Sequence, residues 1–208
     1  MEVSMADKDI FAEREHWLEE EYFRKKDREL IERMRERQAR ATERQHMGES
    51  IGVTDQELIE ALQELGYSEE TVQLLHIVPL VQVAWAEGGV AETEAGMIFQ
   101  VAHSRGIEAG SPAYDQLRQW LTEKPSDQFF ESSLHAIRVV LETLPPDERR
   151  ASRRDLITYC SRIASLVTGG ILGQGQISDE EKMLIAHIAA EIGQGREEVV
   201  KQIIRDEG

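Results

Sequence analysis

Two acidic turns carry the residues whose type and spacing suit chemistry. Gly88-Gly89-Val90-Ala91-Glu92-Thr93-Glu94 is answered 87 residues later by Gly175-Gln176-Ile177-Ser178-Asp179-Glu180-Glu181. Each run ends in a carboxylate where an amphipathic helix begins, and Glu87 precedes the first. One chemistry open to them is divalent-cation binding, with Glu87, Glu94 and Glu181 as candidate metal ligands. A hard cation such as Ca²⁺ takes about six to eight oxygens, so three carboxylates would need backbone carbonyls as well, and the spacing is not that of an EF-hand loop. The other is helix capping. A Glu near the third helical position accepts hydrogen bonds from free N–H groups and meets the positive end of the helix dipole. Capping is the reading the residues favour, with Val90 and Ile177 stapling each turn to a core.

Nucleophilic and redox chemistry find little footing. The single cysteine, Cys160, lies in a helical apolar pattern (Leu156, Ile157, Cys160, Ile163, Ala164) and reads as a buried structural thiol. The six histidines have no metal-ligand spacing, and His76 and His187 sit in apolar runs, as core or core-edge residues. There is no glycine-rich phosphate loop with its lysine and no nucleophile elbow. Trp85 and Trp120 have helical apolar neighbours and read as core, not as a ligand cage. No catalytic residue and no cofactor is therefore assigned, and the chain reads as a non-enzyme.

The elements that hold the turns come from the same register. Beyond the turns, Met97 pairs with Leu184, Ile98 with Ile185, Val101 with Ile188, Ala102 with Ala189 and Gly106 with Gly193. This is a duplicated helical unit. Around it the chain reads as helices throughout: Thr54-Asp55-Gln56-Glu57 as a capping box, with its hydroxyl as the cap, opening a helix to about Leu65; a helix from Ser68 that kinks or restarts at Pro79; Glu92 to about Ser104; a helix capped by Ser111 with Pro112 at its first position; one from Ser126 to the Pro145-Pro146 pair; 147 to 167; a second capping box at Ser178; and a short last helix, Glu197 to Ile204. No segment combines strand length, alternation and hairpin turns. The fold class is all-α, a compact helical domain of two related halves preceded by a long charged helix. The divisions are 1–46 for the arm, 47–69 for a connector and short helix, and 70–208 for the helical domain.

Residues 7–46 hold 12 Asp/Glu and 11 Lys/Arg with no Gly or Pro, the composition of a solvated helix. Phe11, Leu18 and Tyr22 share one face and are the candidate partner-binding residues; Phe23, Leu30 and Met34 share another. From Arg24 to Arg44 the sign reverses, with nine Lys/Arg against five Asp/Glu. A glycine-containing connector, Met47-Gly48-Glu49-Ser50-Ile51-Gly52-Val53, is expected to end the arm. Packing on the protein's own helical domain, or self-association through the arm as a homodimeric coiled coil, is one use for its patches.

A formal net charge of −16 argues against nucleic acid as partner, since phosphate binding needs a basic footprint. The absence of an apolar signal region and a reducing-compartment cysteine count point to a cytoplasmic protein. The most apolar stretch, Val72 to Trp85, is too short and too polar to span a bilayer, so no membrane insertion is expected.

The repeated element, Ala86-Glu87-Gly88-Gly89-Val90 through Glu94, resembles the TerB-like superfamily, known from tellurite resistance and from the N-terminus of some membrane-anchored DnaJ co-chaperones. The resemblance covers about residues 70–206. It implies a compact helical domain of two related halves, adaptor roles in stress-response or membrane-linked assemblies, and no common catalytic activity. The family's acidic pair, viewed as a cation site, falls on Glu87 and Glu94 in the first half and on Gln174 and Glu181 in the second. The neutral Gln174 departs from the pattern. A second stretch, Phe11-Ala12-Glu13-Arg14-Glu15 with Leu18-Glu19 and Tyr22, and then the Met47–Val53 segment, is similar to the bacterial zeta-type inhibitor of F1-ATPase. That similarity implies insertion of the arm into a rotary F-type ATPase, anchored by Phe11, Leu18 and Tyr22. The expected function is a non-enzymatic helical adaptor; the alternatives are a regulator of a rotary ATPase and a divalent-cation sensor.

Overall fold

The computed structural model describes residues 5–167 and 177–193, with side chains described for 21–166 and 177–193. The described residues are helical and contain no strand. Eight α-helices follow in order: α1 (Met5–Ile51), α2 (Gln56–Glu64), α3 (Val78–Ala84), α4 (Glu92–Ser104), α5 (Pro112–Thr122), α6 (Asp127–Thr143), α7 (Pro146–Val167) and α8 (Asp179–Glu191). A 3-10 turn, Val72–Ile77, leads into α3. The expected helix Glu197 to Ile204 lies outside the described residues.

The chain divides into two compact units, residues 1–43 and 44–208. In the first, α1 is a single uninterrupted helix, and every residue from 21 to 42 is exposed. Abundant good helix formers and the absence of Gly and Pro keep it helical although none of residues 21–42 is buried.

The second unit begins within the last turns of α1. The expected connector at Met47 is instead helix as far as Ile51. Gly48 does not break it, because it is there for room: a Cβ at that position would fall against the Val53 carbonyl oxygen and lie 2.8 Å from Ile59 Cδ1. Met47 is fully buried in the core. The chain turns only at Gly52, whose φ of 70° suits glycine. Asp55, and not the Thr54 hydroxyl, caps α2, its carboxylate accepting from the Glu57 and Leu58 N–H groups.

α3 is buried on almost every side, with Val78, Pro79, Leu80, Val81, Val83 and Ala84 all in the core. A helix apolar all round belongs at a centre, and α3 packs against α7, α6, α4 and α8. Pro79 sits in its first turn, where a missing N–H costs nothing, so the proline restarts the chain after the 3-10 turn. α7 in turn packs against α3, α4, α6 and α8, presenting Leu156, Ile157, Cys160, Ile163 and Ala164 to them. Ser111 and Ser126 cap α5 and α6 through side-chain bonds to the Tyr114 and Phe129 N–H groups.

The two repeats fold alike. α4 and α8 are each 13 residues long. Ile98 and Ile185, Val101 and Ile188, Ala102 and Ala189 are buried pairwise. Gly106 and Gly193 close the two helices with φ near 85° and 81°, the left-handed turn that glycine takes without strain.

Candidate functional site

The two acidic turns start α4 and α8. Glu94 Oε2 accepts the Ala91 N–H at 2.8 Å, and Glu181 Oε2 accepts the Ser178 N–H at 2.8 Å. In the second turn the Ser178 hydroxyl returns the favour by accepting the Glu181 N–H at 3.2 Å, closing a reciprocal box. Ala91 has no side-chain acceptor, so the first turn has only half of that arrangement. Both carboxylates are 1% exposed. Ile177 is buried and Val90 half-buried against the core.

Electrostatics ties the two halves together. Burial pushes the Glu94 carboxyl up to about 7, and the nearby negative charges of Glu181 and Glu87 push the same way, against the Ala91 N–H bond. The Glu181 carboxylate of the second repeat thus lies near enough to act on the Glu94 carboxyl of the first. Glu87 stands apart from them in being exposed. Gln174 lies outside the described residues. Among the described residues no group of three or more His, Cys, Asp and Glu side chains is arranged to hold a metal ion.

Burial raises the Cys160 thiol to about 12, so it is a neutral packing group and not a nucleophile. Burial, with help from the Arg105 charge, lowers His76 to about 4 and keeps it neutral. His187, expected at the core edge, is exposed on α8. It falls outside the buried stripe of Ile185, Ile188 and Ala189, and an apolar run on a helix does not bury every position. Trp85 and Trp120 are half-buried against the core, and the Trp85 indole donates to the Trp120 carbonyl at 2.8 Å. Trp120 also packs on Tyr67 and Phe129, so these rings fill one another's faces.

No family model, curated protein or solved structure matches the chain.

Of the arm residues singled out by sequence, Tyr22 is 58% exposed; the side chains of Phe11 and Leu18 lie outside the described residues. Phe23, Leu30, Ile31 and Met34 are exposed with it, between 47% and 62%. Ile31 belongs to this group although its position off the main stripe hides it from a face-by-face reading.

A groove on the second unit is the feature that motif reading does not reach. About 460 Å³ in volume, it runs between α4 and α5 and is lined by Gly96, Phe99, Gln100, His103, Ile107 and Tyr114 among others. Phe99 and Tyr114 stack at its floor, ring centroids 4.7 Å apart. The signal for it lies in the repeat: the register that pairs Glu94 with Glu181 pairs Gly96 with Met183, so one copy has a glycine where the other carries a large side chain.

Proposed function

We propose that this chain is a non-enzymatic adaptor of the cytoplasm, a two-repeat helical body of the TerB-like kind that offers α1 to a protein partner in a stress-response or membrane-linked assembly. The observation that carries this reading is the cluster of five large apolar side chains standing exposed within residues 22–34 of one helix. Single exposed apolar residues are ordinary on a soluble protein; a run of them on a helix with no packing face is a binding surface. Burying each such side chain is worth about 1.5–3 kcal/mol, which a groove on a partner collects. Among the described residues no helix is long and apolar enough to cross a membrane.

The same uninterrupted, exposed helix supports a second reading, a regulator of a rotary F-type ATPase that inserts the arm as an inhibitory helix. The cation-sensor reading draws no support from the acidic turns, where one oxygen of each buried carboxylate is already committed to a backbone N–H.

Replacing Phe11, Leu18 and Tyr22 together by alanine tests both arm readings. The adaptor reading expects the body to melt as before while the arm's contact is lost, because large apolar anchors carry most of an interface's energy. The ATPase reading expects the intact protein to slow ATP hydrolysis by F1 and the triple variant to leave it unchanged. A variant that alters neither hydrolysis, nor oligomeric state, nor the recovered partners removes the arm from the account.

A further inference from the structure

We infer that the groove between α4 and α5 is a docking site for a helix, and that its occupant is the Phe23–Met34 stretch of α1 from a second copy of this chain. The inference rests on the reading of α1 as a binding element and names what that element binds.

Gly96 is the first observation. It lies mid-helix in α4, is exposed, has no left-handed φ, and a Cβ added there would meet no atom of the described residues within 4 Å. A glycine inside a helix costs stability relative to alanine, and here nothing among the described residues requires it. Nor does the repeat require it, since the matching position in α8 holds Met183, 74% exposed. A glycine that the fold does not need, on the wall of an apolar groove, is what a helix lying against that wall needs. On α4, Gly96, Phe99 and His103 recur at helical spacing on one face and form that wall.

Charge selects the occupant. Residues 44–208 carry 14 Lys/Arg against 27 Asp/Glu, a formal −13, whereas residues 24–40 carry eight Lys/Arg against four Asp/Glu, a formal +4. At about 100° per residue, Phe23, Leu30 and Met34 fall within about 40° of one another, a single stripe. Lys26, Arg33 and Arg37 line one edge of it, Lys26 with Glu29 as an ion-pair partner at 4.0 Å, Asp27 lies on the other edge, and Glu32 and Glu36 lie on the far side of the helix. Two such stripes laid antiparallel would set basic edge against basic edge, which disfavours that arrangement of two arms. An acidic surface suits this stripe, and Glu92 and Glu108 stand exposed beside the groove.

Sedimentation equilibrium of the full chain at low salt tests this with two lesions. Wild type should be a dimer that weakens as salt rises, since the attraction is partly between charges. Phe23→Ala/Leu30→Ala/Met34→Ala, which removes the stripe, and Gly96→Gln, which fills the groove, should each be monomeric. Mixing the two variants should restore a dimer, because one supplies an intact groove and the other an intact stripe. Gly96→Ala serves as the folding control: it should raise Tm by about 2 °C while weakening the dimer at least tenfold. A wild type that stays monomeric at every concentration overturns the inference, as an arm folded back on its own body would. So does a Gly96→Gln chain that remains dimeric while the stripe variant does not, since the arms would then pair with each other. If dimerisation ignores both lesions while Phe11→Ala/Leu18→Ala/Tyr22→Ala still loses a partner, the adaptor reading stands and this one falls.

Discussion

Glu94 and Glu181 stand 87 positions apart in the chain, yet each is 1% exposed and each accepts the backbone N–H three residues before it at 2.8 Å. The charge of Glu181 is also among the causes that raise the Glu94 carboxyl to about 7. A duplicated cap has become a pair of buried acids, one of which bears on the other. This relationship makes the acidic turns structural parts of the core, with titration behaviour that stability measurements can follow.

If capping is their task, Glu181→Ala should lower stability by about 1 kcal/mol, the worth of a helix N-terminal hydrogen bond, and Glu181→Gln should recover most of it by keeping an acceptor oxygen. Urea melts of the three proteins measure this. Added Ca²⁺ should leave all three midpoints in place; a saturable Ca²⁺-dependent rise in wild type, abolished by Glu181→Ala, would make the turns a cation site.

The pH dependence has two opposed parts. Glu94 binds its proton more tightly when folded, moving from 4.5 to about 7, so its stabilising contribution is complete below pH 4.5 and is lost as pH rises through about 7. His76 moves the other way, from 6.5 to about 4; its contribution is complete above pH 6.5 and is lost as pH falls through about 4. Each is bounded by about 1.4 kcal/mol per pH unit between the free and folded values. Thermal melts of Glu94→Gln from pH 4 to 8 should therefore lose the decline toward pH 7 and keep the acid-side loss. His76→Gln should show the reverse. Identical profiles for wild type and Glu94→Gln would contradict a raised Glu94.

The boundary between arm and body is a third test. Met47 is fully buried and Gly48 sits against Val53 and Ile59, so the last turns of α1 belong to the body's core. A chain beginning at residue 44 should melt close to the full-length protein. One beginning at residue 50 loses the Met47 side chain and should melt lower by about 2–5 kcal/mol, the range for emptying a core site. Equal melts for the two fragments would put the core's edge beyond residue 50.

Gly48→Ala probes the same corner with a single methyl group. The added Cβ has the Val53 carbonyl oxygen and Ile59 Cδ1 in its way. Backbone cannot yield as a side-chain tip does, so a loss of about 1–3 kcal/mol is expected despite alanine's better helix propensity. A stabilised Gly48→Ala would show that the close approach is absent in solution.

Much of the fold could be read from residue patterns because the signals were local. Ser111-Pro112, Ser126 and Ser178 announce three helix starts by capping chemistry that depends only on neighbours in sequence. The repeat register likewise located α4 and α8 and their buried faces. The misreadings came where tertiary contact overrides local preference. Gly48 looks like a helix breaker until Ile59 is seen packed against it, and Thr54 looks like a cap as good as Asp55. His187 sits in an apolar run yet points outward. The α4–α5 groove escaped because grooves are made by elements distant in sequence; only the Gly96–Met183 mismatch between the repeats pointed toward it. That the acidic turns neighbour one another was likewise invisible from either turn alone.

Whether the exposed face of α1 binds a second copy of the chain is read most directly by amide hydrogen exchange along residues 21–42 of the full chain. A helix with no covering exchanges quickly along its length, since nothing but its own hydrogen bonds protects it. The account predicts that exchange between Phe23 and Met34 slows as protein concentration rises, and that Phe23→Ala/Leu30→Ala/Met34→Ala removes this slowing while the core helices α3 and α7 keep theirs. Equally fast exchange of the segment in wild type and variant, at every concentration, would contradict it.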